Sequence, residues 1–360
     1  MSRIRTTIAI AGALCAVGVS SAAAAVVEPA TVATSFRGSA LSPGEGRSSV
    51  AWGGPDRYAI RPAVGVGPLG WLVDDRGLQT SRYVGGGSTV RRTFPAAPDG
   101  YTLLDLIDPS LDTLLGRARG GTLVLTRRRV GGVATLRGTL TVGPNACAGL
   151  RGGTKTIDLD AATLLPVRVQ TRRSGARLET LRLSYSALDA ALPASAFRPT
   201  GAGGSSVFHS DQGFRRTSPR GAARKLPYVP ELPTALPAGF ALAVSGWAPE
   251  SGVTGAEGSI PTRPSLFAAV YARGWERIEL TQRRAVGGDW PSDPFGGECQ
   301  QLSSRPVSIN GTPGTFAIGA TTGPHLYGRE GTVLHTLSGP YPAGVLVAAA
   351  ASLTPVVPAS

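Results

Sequence analysis

The chain has 360 residues, 42% of them hydrophobic, which is enough to bury a core in each of two domains. Its formal net charge is +13, carried by 36 lysines and arginines against 23 acids, and nearly all of the cations are arginine. With 49 glycines, 29 prolines and only 6% aromatic residues, the composition argues against a bundle of long helices and for many short strands and turns.

Residues 1–25 read as a signal peptide. Arg3 and Arg5 form a basic start, Thr6 to Ser21 is apolar, and Ala23-Ala24-Ala25 offers a small-residue cleavage site before Val26. An uncleaved membrane anchor is the rival reading of the same run. Either way the chain is expected to be exported, to a periplasm or an extracellular envelope. Without Arg3 and Arg5 the charge is about +11. A basic chain suggests nucleic acid first, but export and the lack of a dense basic helix with interleaved aromatics argue against it. Anionic headgroups or wall polymers are the expected counter-charges, and arginine used simply for solubility is the bland alternative.

Val32 to Ser39 and Ser48 to Trp52 read as short strands, followed by Arg57 to Ile60 and a hairpin of Trp71–Val73 with Leu78–Tyr83. Thr89 to Phe94 continues the pattern. Tyr101 to Ala118 then changes period: Leu103, Leu104, Leu106, Ile107, Leu111, Leu114, Leu115 and Ala118 fall on one helical face. Asp108-Pro109 interrupts that face. Proline disfavours helix at Asp108 but suits the first position of a new one, so two short helices are expected. They read either as ordinary core on an open sheet or as a movable lid over an apolar cavity.

Leu123–Leu125 and Thr135–Val142 are expected strands, with Arg127-Arg128-Arg129 on the turn between them. That triplet reads as a solvated turn or, more sharply, as a clamp for an anionic headgroup. Lys155–Leu159, Val167–Thr171 and Leu178–Tyr185 form an antiparallel meander, with Leu181, Leu183 and Tyr185 on one face. Asp158 and Asp160 alternate with apolar residues and are expected to face solvent. Residues 201–233 read as an Arg-, Gly- and Pro-rich linker that cannot bury enough apolar surface to fold alone. A second domain is expected over residues 234–355, with Asn310-Gly311 as a hairpin turn, a hairpin around Gly331 and a helix from Pro340 to Leu353. Residues 356–360 form a tail.

The run "IDLDAATLLPVRV", a hairpin, and then "LPASAFRP" resembles the end of a LolA-like domain, a superfamily that includes lipoprotein carriers and the RseB-type periplasmic sigma-factor regulators. The likeness covers Val32 to Pro199 and assigns residues 26–200 to such a domain. It implies an open, curved antiparallel sheet, a half-barrel with covering helices, whose concave side holds acyl chains or a protein segment. The segments "LPAGF", "VYARGWERIELTQ" and "INGTPGTF" and the C-terminal run resemble a small α+β domain of bacterial envelope and anti-sigma-associated proteins. That family usually has tryptophan where this chain has Gly328. The expected class is therefore β-rich α+β: a LolA-like half-barrel and then a smaller antiparallel α+β domain.

Chemistry is mostly absent from the sequence. His325 and His335 flank the Gly331 turn and could face each other there, a poor metal set without cysteine or spaced acids, and they read as surface strand residues. His209-Ser210-Asp211 are adjacent in the linker, whereas a triad is assembled in space on a rigid scaffold. Gly65 to Gly70 fits the dinucleotide pattern literally, but Pro68 interrupts it and a strand follows. No catalytic residue, cofactor or metal is expected. Cys147 and Cys299 are the thiols left after export. Each lies in a Gly-rich loop of a different domain, and they are expected to bond to each other; free thiols or a bridge between chains are the alternatives.

The expected function is an RseB-like sensor or regulator that binds a lipid or other amphipathic ligand and a membrane-bound anti-sigma factor. A lipid or lipoprotein carrier is the alternative, and an envelope hydrolase the third. The ligand would lie among Leu104, Ile107, Leu111, Leu114, Leu115, Leu181, Leu183 and Tyr185, with Arg127, Arg128 and Arg129 at the headgroup.

Overall fold

In the computed structural model the described residues are 27–30, 33–42, 46–61, 69–76, 78–85, 88–95, 110–145, 150–173, 178–198, 206–209, 214–249, 264–285, 301–319 and 323–357. The first unit is a meander of β1 (Phe36–Ser42), β2 (Gly46–Trp52), β3 (Arg57–Arg61), β4 (Leu69–Asp75), β5 (Leu78–Gly85) and β6 (Ser88–Pro95). Helix α1 (Ser110–Arg119) follows. A second meander comprises β7 (Thr126–Val130), β8 (Val133–Asn145), β9 (Leu150–Asp160), β10 (Pro166–Arg173) and β11 (Glu179–Ser186). The two meanders join where β1 pairs with β11 antiparallel, Ala40 opposite Leu183. With β12 (Ser206–His209) parallel to β6, they make one open 12-stranded sheet whose end strands are β12 and β7.

The second unit contains β13 (Arg215–Arg216), α2 (Pro219–Ala223), β14 (Glu231–Pro233), β15 (Ala241–Pro249), β16 (Pro264–Arg273), β17 (Glu276–Arg284), β18 (Gln301–Ile309), β19 (Thr312–Gly319), β20 (Gly323–Glu330), β21 (Val333–Ser338), α3 (Ala343–Ala351) and β22 (Leu353–Pro355). Its sheet runs β13-β15-β16-β17-β21-β20-β19-β18, and β14 pairs with β22. Asn310 and Gly311 both have positive φ, 49° and 82°, as a two-residue hairpin requires. The fold class is β-rich α+β, with open antiparallel sheets and few helices.

Periodicity explains the first core. Leu111, Leu114, Leu115 and Ala118 recur at helical spacing, and the three leucines are buried against Phe36, Ile157, Leu159 and Leu165. On β9, Ile157 and Leu159 alternate toward that core. Gly138 lets the layers close, because a Cβ there would meet Leu114 at 2.8 Å and Leu125 at 2.8 Å. The opposite face of β2 to β4 is covered by a short 3-10 turn, Ala194–Phe197, whose Phe197 packs on Trp71 and Val73. Phe197 thus caps the face of the sheet that points away from α1.

Four sequence expectations are corrected. Residues 201–233 do not form a free linker throughout: β12, β13, α2 and β14 pair or pack, and Phe214, Ala222 and Leu226 are buried. The buried apolar residues are spaced widely there, which hides them from a compositional reading. Arg127, Arg128 and Arg129 lie on strand β7 and not on a turn; Gly131-Gly132 makes the turn instead. Asp158 is fully buried, because Arg137 on β8 and Arg168 on β10 stand opposite it and cover it. His325 and His335 are buried and do not face each other: His325 pairs with Ser338, and His335 with Gly328.

Candidate functional site

The turn between β9 and β10 is heavily constrained. Asp160 Oδ1 accepts from the amides of Ala162 and Thr163, both at 2.9 Å, and the Leu164 amide donates to the Asp160 carbonyl. Leu164 is held at φ 58°, a left-handed conformation that costs a branched residue roughly 1–2 kcal/mol. Its side chain is fully buried, which offsets the cost. This leaves the Thr163 carbonyl available, and Trp275 Nε1 donates to it at 3.1 Å.

Trp275 belongs to the second unit. It follows Gly274 in the β16–β17 turn and is 3% exposed, and its other core neighbours belong to the first unit. The concave face of the larger sheet is therefore covered by α1 and by the tip of a hairpin from the other unit. Helix α1 lies between the two. Its leucines face the larger sheet, while Gly116 turns toward the second unit, where a Cβ would meet Pro324 at 2.8 Å and the Tyr341 carbonyl at 3.3 Å.

A charge cluster fastens this junction, buried at Arg119 and Glu276 and open to solvent at Glu28. Arg119, in the last turn of α1, donates to the carbonyls of Val27 and Pro340 at 3.0 Å each and to Glu276 Oε1. Its guanidinium stacks over Tyr341 at 4.5 Å. Arg273 donates to Glu276 Oε2 and Glu28 Oε2, each at 2.5 Å, and to Tyr341 Oη at 3.0 Å. Two cations thus meet two carboxylates, and Glu276 is 1% exposed. Burial works against the Arg273 charge, but Glu276, Tyr341 and Glu28 outweigh it and hold the guanidinium above its usual value. Burial, and then the Glu276 carboxylate, push the Tyr341 phenol up, so it stays protonated as a donor. A second tie joins Arg216 of β13 to Asp56 at 2.8 Å.

The expected ligand residues divide. Leu111, Leu114 and Leu115 are fully buried core, Leu183 is buried, and Leu181 and Tyr185 are half-buried against the same core. The Tyr185 hydroxyl donates to the Pro166 carbonyl at 2.7 Å. Leu104, Ile107, Cys147 and Cys299 lie outside the described residues, as do residues 1–25. Arg127, Arg128 and Arg129 are exposed on the outermost strand. The sequence reading missed Trp275, Arg119 and Glu276. The run "ARGWERIEL", an aromatic at a hairpin tip flanked by opposite charges, hinted at Trp275 and Glu276, and nothing in the sequence marked Arg119.

One cluster has metal-ligand residue types: a ligand atom from each of Glu231, Glu330 and His335 lies within 4.8 Å of the others. Its wiring opposes a metal. Gln282 Oε1 accepts from the Glu231 amide and its Nε2 donates to the Glu231 carbonyl, which fixes the orientation of the amide. The same Nε2 faces His335 Nδ1 at 3.1 Å, so Nδ1 accepts and the ring proton sits on Nε2. Coordination through Nε2, the nitrogen that lies 3.9 Å from Glu231, needs the reverse, a bare Nε2 and an Nδ1–H with an acceptor. Burial also depresses the His335 pKa to about 4, keeping the ring neutral.

Among the described residues no helix is long and apolar enough to cross a membrane. The geometry defines a two-unit β-rich protein whose larger open sheet is closed by its own helix and by the neighbouring unit. Its architecture is similar to that of MucB. In the Pseudomonas aeruginosa MucA/MucB complex the match has 15% identity, covers 90% of this chain and 94% of that chain, and has a TM-score of 0.31. For MucB with MucA(peri) the values are 16%, 90%, 94% and 0.28, and for MucB alone 15%, 92%, 95% and 0.28. No family model and no curated protein matches the chain.

Proposed function

We propose that the chain is an exported, non-catalytic envelope protein, an RseB-like sensor that takes an amphipathic ligand on its concave face and reports it to a membrane-bound anti-sigma factor. The closed arrangement of the two units is its resting state. What carries this reading is Trp275: the second unit supplies part of the cover over the first unit's core. Anything that enters that core must displace the second unit, which couples occupancy of one unit to the posture of the other. The sequence resemblance to LolA-like and anti-sigma-associated domains supports the same assignment.

The magnitudes permit such coupling. Burying about fourteen methylenes contributes about 11 kcal/mol. Uncovering Trp275 costs about 3 kcal/mol, and separating the Arg119–Glu276 pair adds about a few kcal/mol at most, because both charges regain water when the units part. A long acyl chain therefore outweighs the clamp, whereas a short one does not.

Titration with a fluorescent fatty-acyl probe tests the reading. Wild type is expected to bind at micromolar concentration, with Trp275→Ala tighter because the cover is already loosened. No binding by either well-folded protein would remove the lipid-sensor assignment.

A further inference from the structure

Strand β7 ends the larger sheet, with β8 on one side and no described strand on the other. Thr126, Arg127, Arg128 and Arg129 are all exposed. Gly131 and Gly132 both have positive φ, 56° and 86°, and close a two-residue hairpin with Val130 opposite Val133. In such a hairpin the hydrogen-bonded pairs recur at every second residue, here Val130–Val133, Arg128–Thr135 and Thr126–Arg137. The amides and carbonyls of Arg127 and Arg129 consequently point to the free edge. Among the described residues the Arg127 carbonyl takes only a contact at 3.4 Å from the neighbouring Arg128 guanidinium.

The side chains are unneutralised as well. Arg128 and Arg129 reach backbone carbonyls, at 3.4 Å and 3.1 Å, and none of the three arginines forms an ion pair among the described residues. At the junction, by contrast, Arg119 and Arg273 both meet carboxylates. Charge on an open edge prevents pairing with a second copy of the same edge. The same charge favours a strand of opposite sign. Val124, two residues before β7, is 81% exposed and continues the edge with an apolar contact.

We propose that β7 is a docking edge for an extended acidic segment of a partner protein, which adds as a further antiparallel or parallel strand. Its backbone pairs with Arg127 and Arg129. Because the arginines alternate faces, consecutive acids answer all three, and an apolar residue beyond them covers Val124. This surface is independent of the apolar-ligand reading, and the acyl-probe titration can fail without touching it.

The test uses the full mature chain and a labelled peptide with a central Glu-Asp-Glu flanked by threonine and valine. Binding is followed by anisotropy, with hydrogen exchange at Arg127 and Arg129. The peptide is expected to bind and to protect those two amides. The double variant Arg127→Glu/Arg129→Glu should lose at least tenfold in affinity and gain a Lys-Arg-Lys peptide. N-methylation of alternate peptide amides, which keeps the charge, should also abolish binding. Unchanged affinity after N-methylation would leave charge attraction alone and overturn strand addition. Absence of peptide binding, with retention on phosphatidylglycerol but not phosphatidylcholine vesicles, would assign the triplet to a membrane surface; no binding to either would make it a solvated edge.

Discussion

Trp275 Nε1 donates to the Thr163 carbonyl at 3.1 Å, joining a hairpin tip of the second unit to the β9–β10 turn of the first. The indole is 97% withdrawn from solvent, so the contact carries both apolar burial and a satisfied donor. Replacing Trp275 with alanine should cost about 3–5 kcal/mol. It should also split one calorimetric transition into two, because the units would then melt separately. A single transition with unchanged midpoint would show that the junction does not depend on this residue.

Arg119 and Glu276 form the buried pair beside it. Glu276→Gln leaves Arg119 and Arg273 near each other with less compensation, at a cost of about 3–5 kcal/mol. Arg119→Met leaves Glu276 still paired with Arg273, so the loss should be smaller. Denaturant melts of both variants check the order. Equal losses would mean that the cluster acts only through packing.

Asp158 is covered by Arg137 at 2.8 Å and Arg168 at 2.7 Å, across three neighbouring strands. Asp158→Asn should cost about 2–3 kcal/mol, less than for a fully dry pair because both arginines are partly exposed. Chemical denaturation measures it, and a change below the error of the melt would contradict the ladder's role.

His335 sets an acid limb. Its folded pKa is depressed by burial to about 4, below its ordinary value of 6.5. The unfolded chain then binds a proton that the folded one refuses, so stability falls as the pH drops from about 6.5 toward 4, by roughly 3 kcal/mol in all. Glu231, raised by burial and then by Glu330, acts with the opposite sign and offsets part of this. In His335→Gln the stability profile should flatten over that window. A profile with the same slope would place the acid sensitivity elsewhere.

Much of the fold was legible because local patterning decides it. Leu111, Leu114 and Leu115 announce a helix, Ile157 and Leu159 a strand, and Asn310-Gly311 a hairpin. The junction was not legible, because its energy lies in partners far apart in sequence. Asp158 alternates like a surface residue until Arg137 and Arg168 are placed beside it. His335 looks exposed until β14 and β17 cover it. Trp275 sits at a turn, where an exposed side chain is the ordinary expectation.

Hydrogen exchange on the full mature chain, with and without palmitate, tests the central claim most directly. If ligand entry moves the second unit, amides of α1 and of the Arg273–Glu276 tip should exchange faster together once palmitate is bound, while the α3 core stays protected. Palmitate that binds and leaves both segments unchanged, or protects them further, would contradict a sensor that opens at the Trp275 junction.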